Sequence, residues 1–252
     1  MDNIKLSARE ALGSSLSFLA EFIKKHWILV LIYFVLSVVP VFIIGDQEVT
    51  DISLSKRLIV GVIGLINVIP GLLMVYYPLR EALLKLNPTG QISNKSIAKA
   101  LWQIFYTAII SVIIGVPLLL LLLLPCIWWA TKASVSYANL LSTEDGPIQS
   151  IRKSHELMNG RFWSSFGFLF STMAAVFFVW VIAMMIIVFF LLIGGAFNAI
   201  FHEGAGFNKV LMIIRLLGPF FSVATTILFH YYQVWLYVYL KSQNSPSQVI
   251  TA

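Results

Sequence analysis

The chain has 252 residues, 59% of them hydrophobic and 11% charged, with a formal net charge of +6. Soluble domains carry about 45–50% apolar and about 25% charged residues, so the composition excludes a water-soluble monomer as well as collagen, coiled-coil and disordered classes. The single cysteine, Cys126, excludes an intramolecular disulfide and any multi-cysteine metal site.

A bilayer core of about 30 Å takes about 20 apolar residues per helix, and the runs are read against that length. Residues 1–26 form an amphipathic N-terminal helix. Ala8, Leu12, Leu16, Leu19 and Ile23 recur at helical spacing, with Lys5, Arg9 and Glu21 between them and Lys24-Lys25 at the end. No cleavable leader is expected, because the first long apolar run begins only at Trp27, after Asp2, Glu10 and Glu21. The first span is 27–44. The second, 58–79, is interrupted by Asn67, Pro70 and Gly71 and ends at the interfacial pair Arg80-Glu81. A basic segment, 92–100, carries Lys95 and Lys99 and leads to Trp102. The run 101–141 has twice the needed length and holds one charge, Lys132. It reads as two helices, 101–120 and 122–141, turning between Pro117 and Pro125, with Gly115 and Pro117 interrupting the first. Ile148, Ile151, Leu157 and Met158 mark a further amphipathic helix with Arg152 and Lys153. Pro147 suits its first position and Gly160 its stop. The last two spans are 163–193, with Gly194-Gly195 ending the helix, and 210–240, broken near Gly218-Pro219; a short polar tail, 242–252, follows.

Loop charge selects six crossings. With both termini inside, twelve basic residues lie inside, including Lys24, Lys25, Arg80, Arg152, Lys153 and Arg161, against four outside, Lys56, Arg57, Lys209 and Arg215. A single crossing at 101–141 would put Arg152, Lys153 and Arg161 outside and spoil that asymmetry. The basic residues form no block of five or more, so their spread reads as topology, and no nucleic-acid partner is expected.

A threefold pattern runs through the layout. Segments 1–26, 92–100 and 148–158 each precede a span opened by Trp27, Trp102 or Trp163. Pro70, Pro125 and Pro219 lie near the outer ends of the alternate helices, with Tyr76/Tyr77, Tyr137 and Tyr231/Tyr232 further inward. The expected fold is an all-α integral membrane domain over 1–252. It has six transmembrane helices, readable as three repeats of interfacial helix plus helical hairpin. The competing explanation is that basic residues and Trp open many membrane helices.

The segment "LLLLPCIWWATKASVSYANLLSTEDGPIQSIRKSHELMNGRFWSSFGFLF" and the opening "SAREALGSSLSFLAEFIKKHWILVLIYFVL" carry a resemblance. Pro125 follows an apolar run, Glu144-Asp145-Gly146 form a small acidic turn, and Ser150-Ile151-Arg152-Lys153-Ser154 form a short basic helix stopped by Gly160. This pattern resembles a bacterial inner-membrane family related to the membrane domain fused to some glycerophosphodiester phosphodiesterases and to uncharacterised YciC-type six-helix proteins. The resemblance implies a six-helix domain in the bacterial inner membrane and does not point to any particular activity, since the stand-alone members are uncharacterised and the 252 residues leave no length for the phosphodiesterase domain.

Few residues carry chemistry. His202-Glu203 lacks the second His of a zinc-protease helix, and His155-Glu156 belongs to a solvated amphipathic face. His26 reads as a headgroup neighbour. His230 lies inside a span beside Gln233, where a polar group either bonds another helix or faces a cavity. Lys132 sits midway along the fourth span. A lone Lys there costs about 2.5–3.5 kcal/mol, so it either snorkels or meets an anionic headgroup or solute. Asn67 either joins two helices or lines a site. Lys132, Asn67, His230 and Gln233 are therefore the candidate intramembrane polar site. Lys24, Lys25, Arg80, Arg152, Lys153 and Arg161 are the candidate lipid-headgroup contacts. No catalytic constellation, phosphate loop, metal site or cofactor is read, and no enzyme is expected. The expected function is lipid or envelope homeostasis, or a membrane scaffold, in contact with anionic lipids. A small-solute or lipid transporter with a midplane site is the alternative, and a protein partner or second copy is left open.

Overall fold

Ser7 opens the first helix. Its Oγ accepts the Glu10 backbone N–H at 3.4 Å, and Glu10 stands at the third helical position, the S-x-x-E arrangement of a capping box. The chain is described here from a computed structural model covering residues 7–44, 53–87, 92–121, 123–191 and 205–244. Its helices are α1 (Ala8–Lys25), α2 (Trp27–Ile44), α3 (Leu54–Leu86), α4 (Ile97–Leu121), α5 (Leu123–Ala133), α6 (Ser136–Ser142), α7 (Pro147–Leu157), α8 (Phe162–Leu191) and α9 (Ala205–Asn244). Among the described residues there is no strand. Lys5, Gly194-Gly195, His202-Glu203 and the tail beyond Asn244 lie outside them.

Among the described residues three helices are long and apolar enough to cross a membrane, α3, α4 and α8, and a fourth crossing arises if α1 and α2, broken at His26, count as one bent pair. Several expected breaks are not there. α3 runs unbroken through Asn67, Pro70 and Gly71, α4 passes through Pro117, and α9 passes through Gly218-Pro219. One lost N–H per proline is tolerable in apolar surroundings when neighbouring groups take up the freed carbonyl. The second amphipathic element is also absent as a helix. Residues 92–96 are irregular, and Ser96 caps α4 by accepting the Lys99 N–H at 3.4 Å. The second half of 101–141 is divided between the 11-residue α5 and the 7-residue α6.

The chain divides into two compact units. The first comprises Met1–Phe22, Val75–Met173 and Ile227–Ala252. It holds most of the buried side chains, including Leu79, Ile104, Leu140, Tyr231, Tyr232 and Leu236. There α4 packs on α5, α6 and α7, and α7 packs on α5 and α6. The face α1 buries is Ala11, Ser15, Phe18 and Phe22. Phe18 meets Tyr231 of α9 at 4.6 Å between ring centroids, and the Ser15 and Tyr232 hydroxyls are 3.0 Å apart. The leucine stripe expected to define that helix lies beside this face, and Leu16 is 64% exposed.

The second unit, Ile23–Met74 and Ala174–Thr226, is different in kind. Within it Asn67 Nδ2 donates to Ser37 Oγ at 3.2 Å, and Trp180 meets Phe221 edge-on. Its helices leave large apolar side chains uncovered, among them Leu65, Ile69, Phe178 and Met185. Leu54, Leu58, Ile59, Val62, Leu65, Ile66, Val68, Ile69 and Leu84 are all exposed on α3 alone. At roughly 1 kcal/mol for each half-exposed side chain, that one helix would forgo about 10 kcal/mol in water. A whole domain is stable by only about 5–15 kcal/mol. These surfaces require an apolar solvent.

Candidate functional site

The chemistry-bearing side chains gather in the first unit around the turn between α6 and α7. Thr143, Glu144, Asp145 and Gly146 connect the two helices, and Pro147 begins α7 where a missing N–H costs nothing. Asp145 Oδ2 accepts from Lys153 Nζ at 2.6 Å and from Thr143 Oγ1 at 2.8 Å. Ser93 donates its hydroxyl to Glu144 Oε1 at 2.5 Å and its N–H to the Leu141 carbonyl at 2.9 Å. Lys95 Nζ donates to the carbonyls of Leu140 and Asp145 at 2.9 and 2.8 Å, satisfying acceptors left open where α6 ends. The turn is thereby tied to the segment preceding α4. Gly160, at φ 74°, ends the α7 region in the left-handed conformation that favours glycine.

The electrostatics follow from these bonds. The Ser93 hydroxyl holds the Glu144 carboxyl below its ordinary range, with Lys95 helping. Burial acts to raise the Asp145 carboxyl, yet the hydrogen bonds from Lys153 and Thr143 outweigh it and leave Asp145 below the usual value. Burial lowers the Lys95 ammonium against the pull of Glu144. The His155 imidazole is lowered as well, first by burial and then by the charge of Lys132.

Lys132 is not midway along one continuous helix over 122–141. It stands in the last turn of α5, its Nζ 4.2 Å from the Trp128 ring centroid. Ser154 of α7 donates its hydroxyl to the Lys132 carbonyl. The His155 ring lies edge-on to Trp129 at 4.8 Å and to Trp128 at 5.9 Å. A break at Ser134-Val135 separates α5 from α6 and leaves Lys132 beside the polar helix α7. The other members of the expected intramembrane site have partners of their own. His230 Nδ1 pairs with Gln233 Oε1 at 2.9 Å, one helical turn along α9, while Asn67 belongs to the second unit with Ser37.

Of the expected headgroup contacts, Lys24 and Lys25 are exposed at the end of α1, and Arg80 and Arg161 are half-buried. Arg152 pairs with Glu156 at 3.1 Å with 80% of its side chain exposed, and Lys153 is 42% exposed. Arg152 and Lys153 also line an open cavity of about 720 Å³ with Tyr106 and the first turn of α7. Sequence reasoning missed Ser93 and Lys95 as fasteners of the turn. It also missed the serine face of α7, where Ser150 and Ser154 are fully buried. The serines every four residues, Ser150 and Ser154, were the available signal.

Among the described residues no group of three or more His, Cys, Asp or Glu is placed to hold a metal ion. The class these features define, among the described residues, is an all-helical chain with three to four helices fit to cross a membrane and a polar, basic cluster at one helix turn. No family model, curated protein or solved structure matches the chain.

Proposed function

We propose that the chain is a six-helix protein of a bacterial inner membrane, with both termini cytoplasmic, that binds anionic lipid headgroups in support of lipid or envelope homeostasis. It performs no catalysis in this reading; the resemblance to the phosphodiesterase-linked membrane family supports the six-helix layout alone. The observation that carries it is the exposure of three tryptophans. Trp27, Trp102 and Trp163 are 57, 66 and 77% exposed, each near the start of an apolar helix. Each follows basic residues, Lys24-Lys25, Lys95 with Lys99, and Arg161. An amphipathic aromatic beside a cation is the arrangement that suits the headgroup layer. The exposed Leu16 of α1 and Ile148 of α7 add apolar contacts next to basic residues, as interfacial helices do. The transporter alternative drew on Lys132, Asn67 and His230 acting together. Their separate partners, Trp128, Ser37 and Gln233, favour the lipid reading.

The test replaces Lys24, Lys25, Arg152 and Lys153 by Gln and reads quenching of the tryptophans by brominated phosphatidylglycerol against brominated phosphatidylcholine. Each basic residue near an anionic surface is worth about 1 kcal/mol, and Arg152 and Lys153 are already partly paired, so the preference for the anionic lipid should fall by at least about tenfold. An unchanged preference removes this reading.

A further inference from the structure

A second cavity, of about 380 Å³, opens where α6, α7 and the end of α9 meet, all within the first unit. That volume lies in the range of about 300–1,000 Å³ typical of ligand sites. Asn139, Lys153, Glu156, Tyr237, Lys241 and Asn244 line it. Asn139 is 3% exposed, and its Nδ2 is buried with no hydrogen-bond partner. An amide donor left unpaired at that depth is costly, and native structures retain few of them without a reason. Asn139 lines a cavity that two lysines also line.

The surrounding groups are held in place. The Tyr237 hydroxyl is 2.6 Å from Ser142 Oγ, which fixes the ring as one wall, and Lys241 Nζ lies 5.6 Å from that ring's centroid. Lys153 carries three N–H donors, and Asp145 takes one at 2.6 Å. Two ammonium groups and a buried amide N–H together select an anion with several acceptor oxygens, which a phosphate provides. Glu156, held at 3.1 Å by Arg152, lines the same cavity and would repel a bare phosphate. It suits a ligand that carries its own donor a few bonds from the phosphorus.

We propose that this cavity binds a phosphate ester bearing an ammonium or hydroxyl group, with Lys153, Lys241 and Asn139 directed to the phosphate and Glu156 to the donor. The ester is either a soluble small molecule or the headgroup of a phospholipid. Lys153 is shared with the proposed headgroup contacts, but Asn139, Glu156 and Lys241 are not, so the two readings fail separately.

The experiment uses the full chain in lipid-free detergent micelles. O-phosphoethanolamine is titrated calorimetrically, and phosphatidylethanolamine is added for native mass spectrometry. One-site binding of the soluble ester supports the proposal with a soluble source. Retention of one lipid without binding of the soluble ester supports it with a headgroup source. Either way, Lys241→Gln and Asn139→Asp should weaken binding about tenfold, the loss expected for one charge-assisted hydrogen bond. Glu156→Gln should reduce the preference for O-phosphoethanolamine over inorganic phosphate. Lys241 and Glu156 carry exposed or half-exposed side chains, so their variants keep the fold even where Asn139→Asp does not. Absence of saturable binding of both probes, or wild-type affinity and selectivity in Lys241→Gln and Glu156→Gln, overturns the proposal. Persistence of the anionic-lipid preference in these two variants would show that the headgroup reading stands on its own.

Discussion

Replacing Phe18 by Ala should release α1 from the first unit. Phe18 is 3% exposed, and its ring sits 4.6 Å from Tyr231 and 6.1 Å from Phe22. Emptying such a site costs about 3–5 kcal/mol, of which the aromatic pair supplies about 0.5–1.5 kcal/mol. If that energy holds α1 down, the helix opens roughly two to four orders of magnitude more often, since each 1.4 kcal/mol is tenfold. Hydrogen exchange of the amides of Ala8–Lys25 reads this directly, because local opening sets their protection. The control is Leu16→Ala. Leu16 belongs to the more apolar stripe but is 64% exposed, so its removal should change protection by less than about tenfold. Equal loss of protection in the two variants would refute the reasoning, because the leucine stripe would then be the docked face.

Asp145→Asn removes the charged acceptor of Lys153 and should lower stability by about 1–2 kcal/mol, a range discounted for the exposure of Lys153, as read from thermal unfolding in detergent. The depressed carboxyls of Glu144 and Asp145 predict the pH response. Their folded-state values lie below the unfolded ones, so their contribution is present above the ordinary carboxylate range near pH 4 and is lost as pH falls through the folded values. Unfolding temperature should therefore decline below about pH 4, and Asp145→Asn should flatten that decline. Gly160→Ala places a Cβ at φ 74° and should cost about 1–2 kcal/mol in the same thermal assay, with Gly160→Asn milder.

Much of the helical layout was legible because its signals are local. Pro147 and Gly160 bracket α7, and the uncharged run after Arg161 becomes the 30-residue α8. The docked face of α1 was not legible. Hydrophobic periodicity points to the leucines, whereas the protein buries two phenylalanines with an alanine and a serine that admit close approach and a hydrogen bond. In lipid the most apolar stripe has no reason to turn inward, so hydropathy stops marking the core. Lys132 was misplaced for a related cause. The uninterrupted apolar run hid the break at Ser134-Val135, a junction built from small and β-branched residues without Gly or Pro. Pro70 and Pro117 erred in the opposite direction, signalling breaks that continuous helices absorb. The ties of Ser93 and Lys95 to the Glu144-Asp145 turn join positions about fifty residues apart, beyond any local pattern.

Orientation in the bilayer tests the central claim most directly. In a Cys126→Ser background, single substitutions Gln149→Cys and Ser242→Cys mark the segments assigned to the cytoplasm, and Asp51→Cys and His202→Cys mark those assigned outside. An impermeant maleimide applied to intact spheroplasts should label only the Asp51 and His202 positions, and permeabilisation should expose the other two. Labelling of the Gln149 position in intact spheroplasts, or protection of the Asp51 position, would contradict a membrane protein with its basic helix α7 on the inner face.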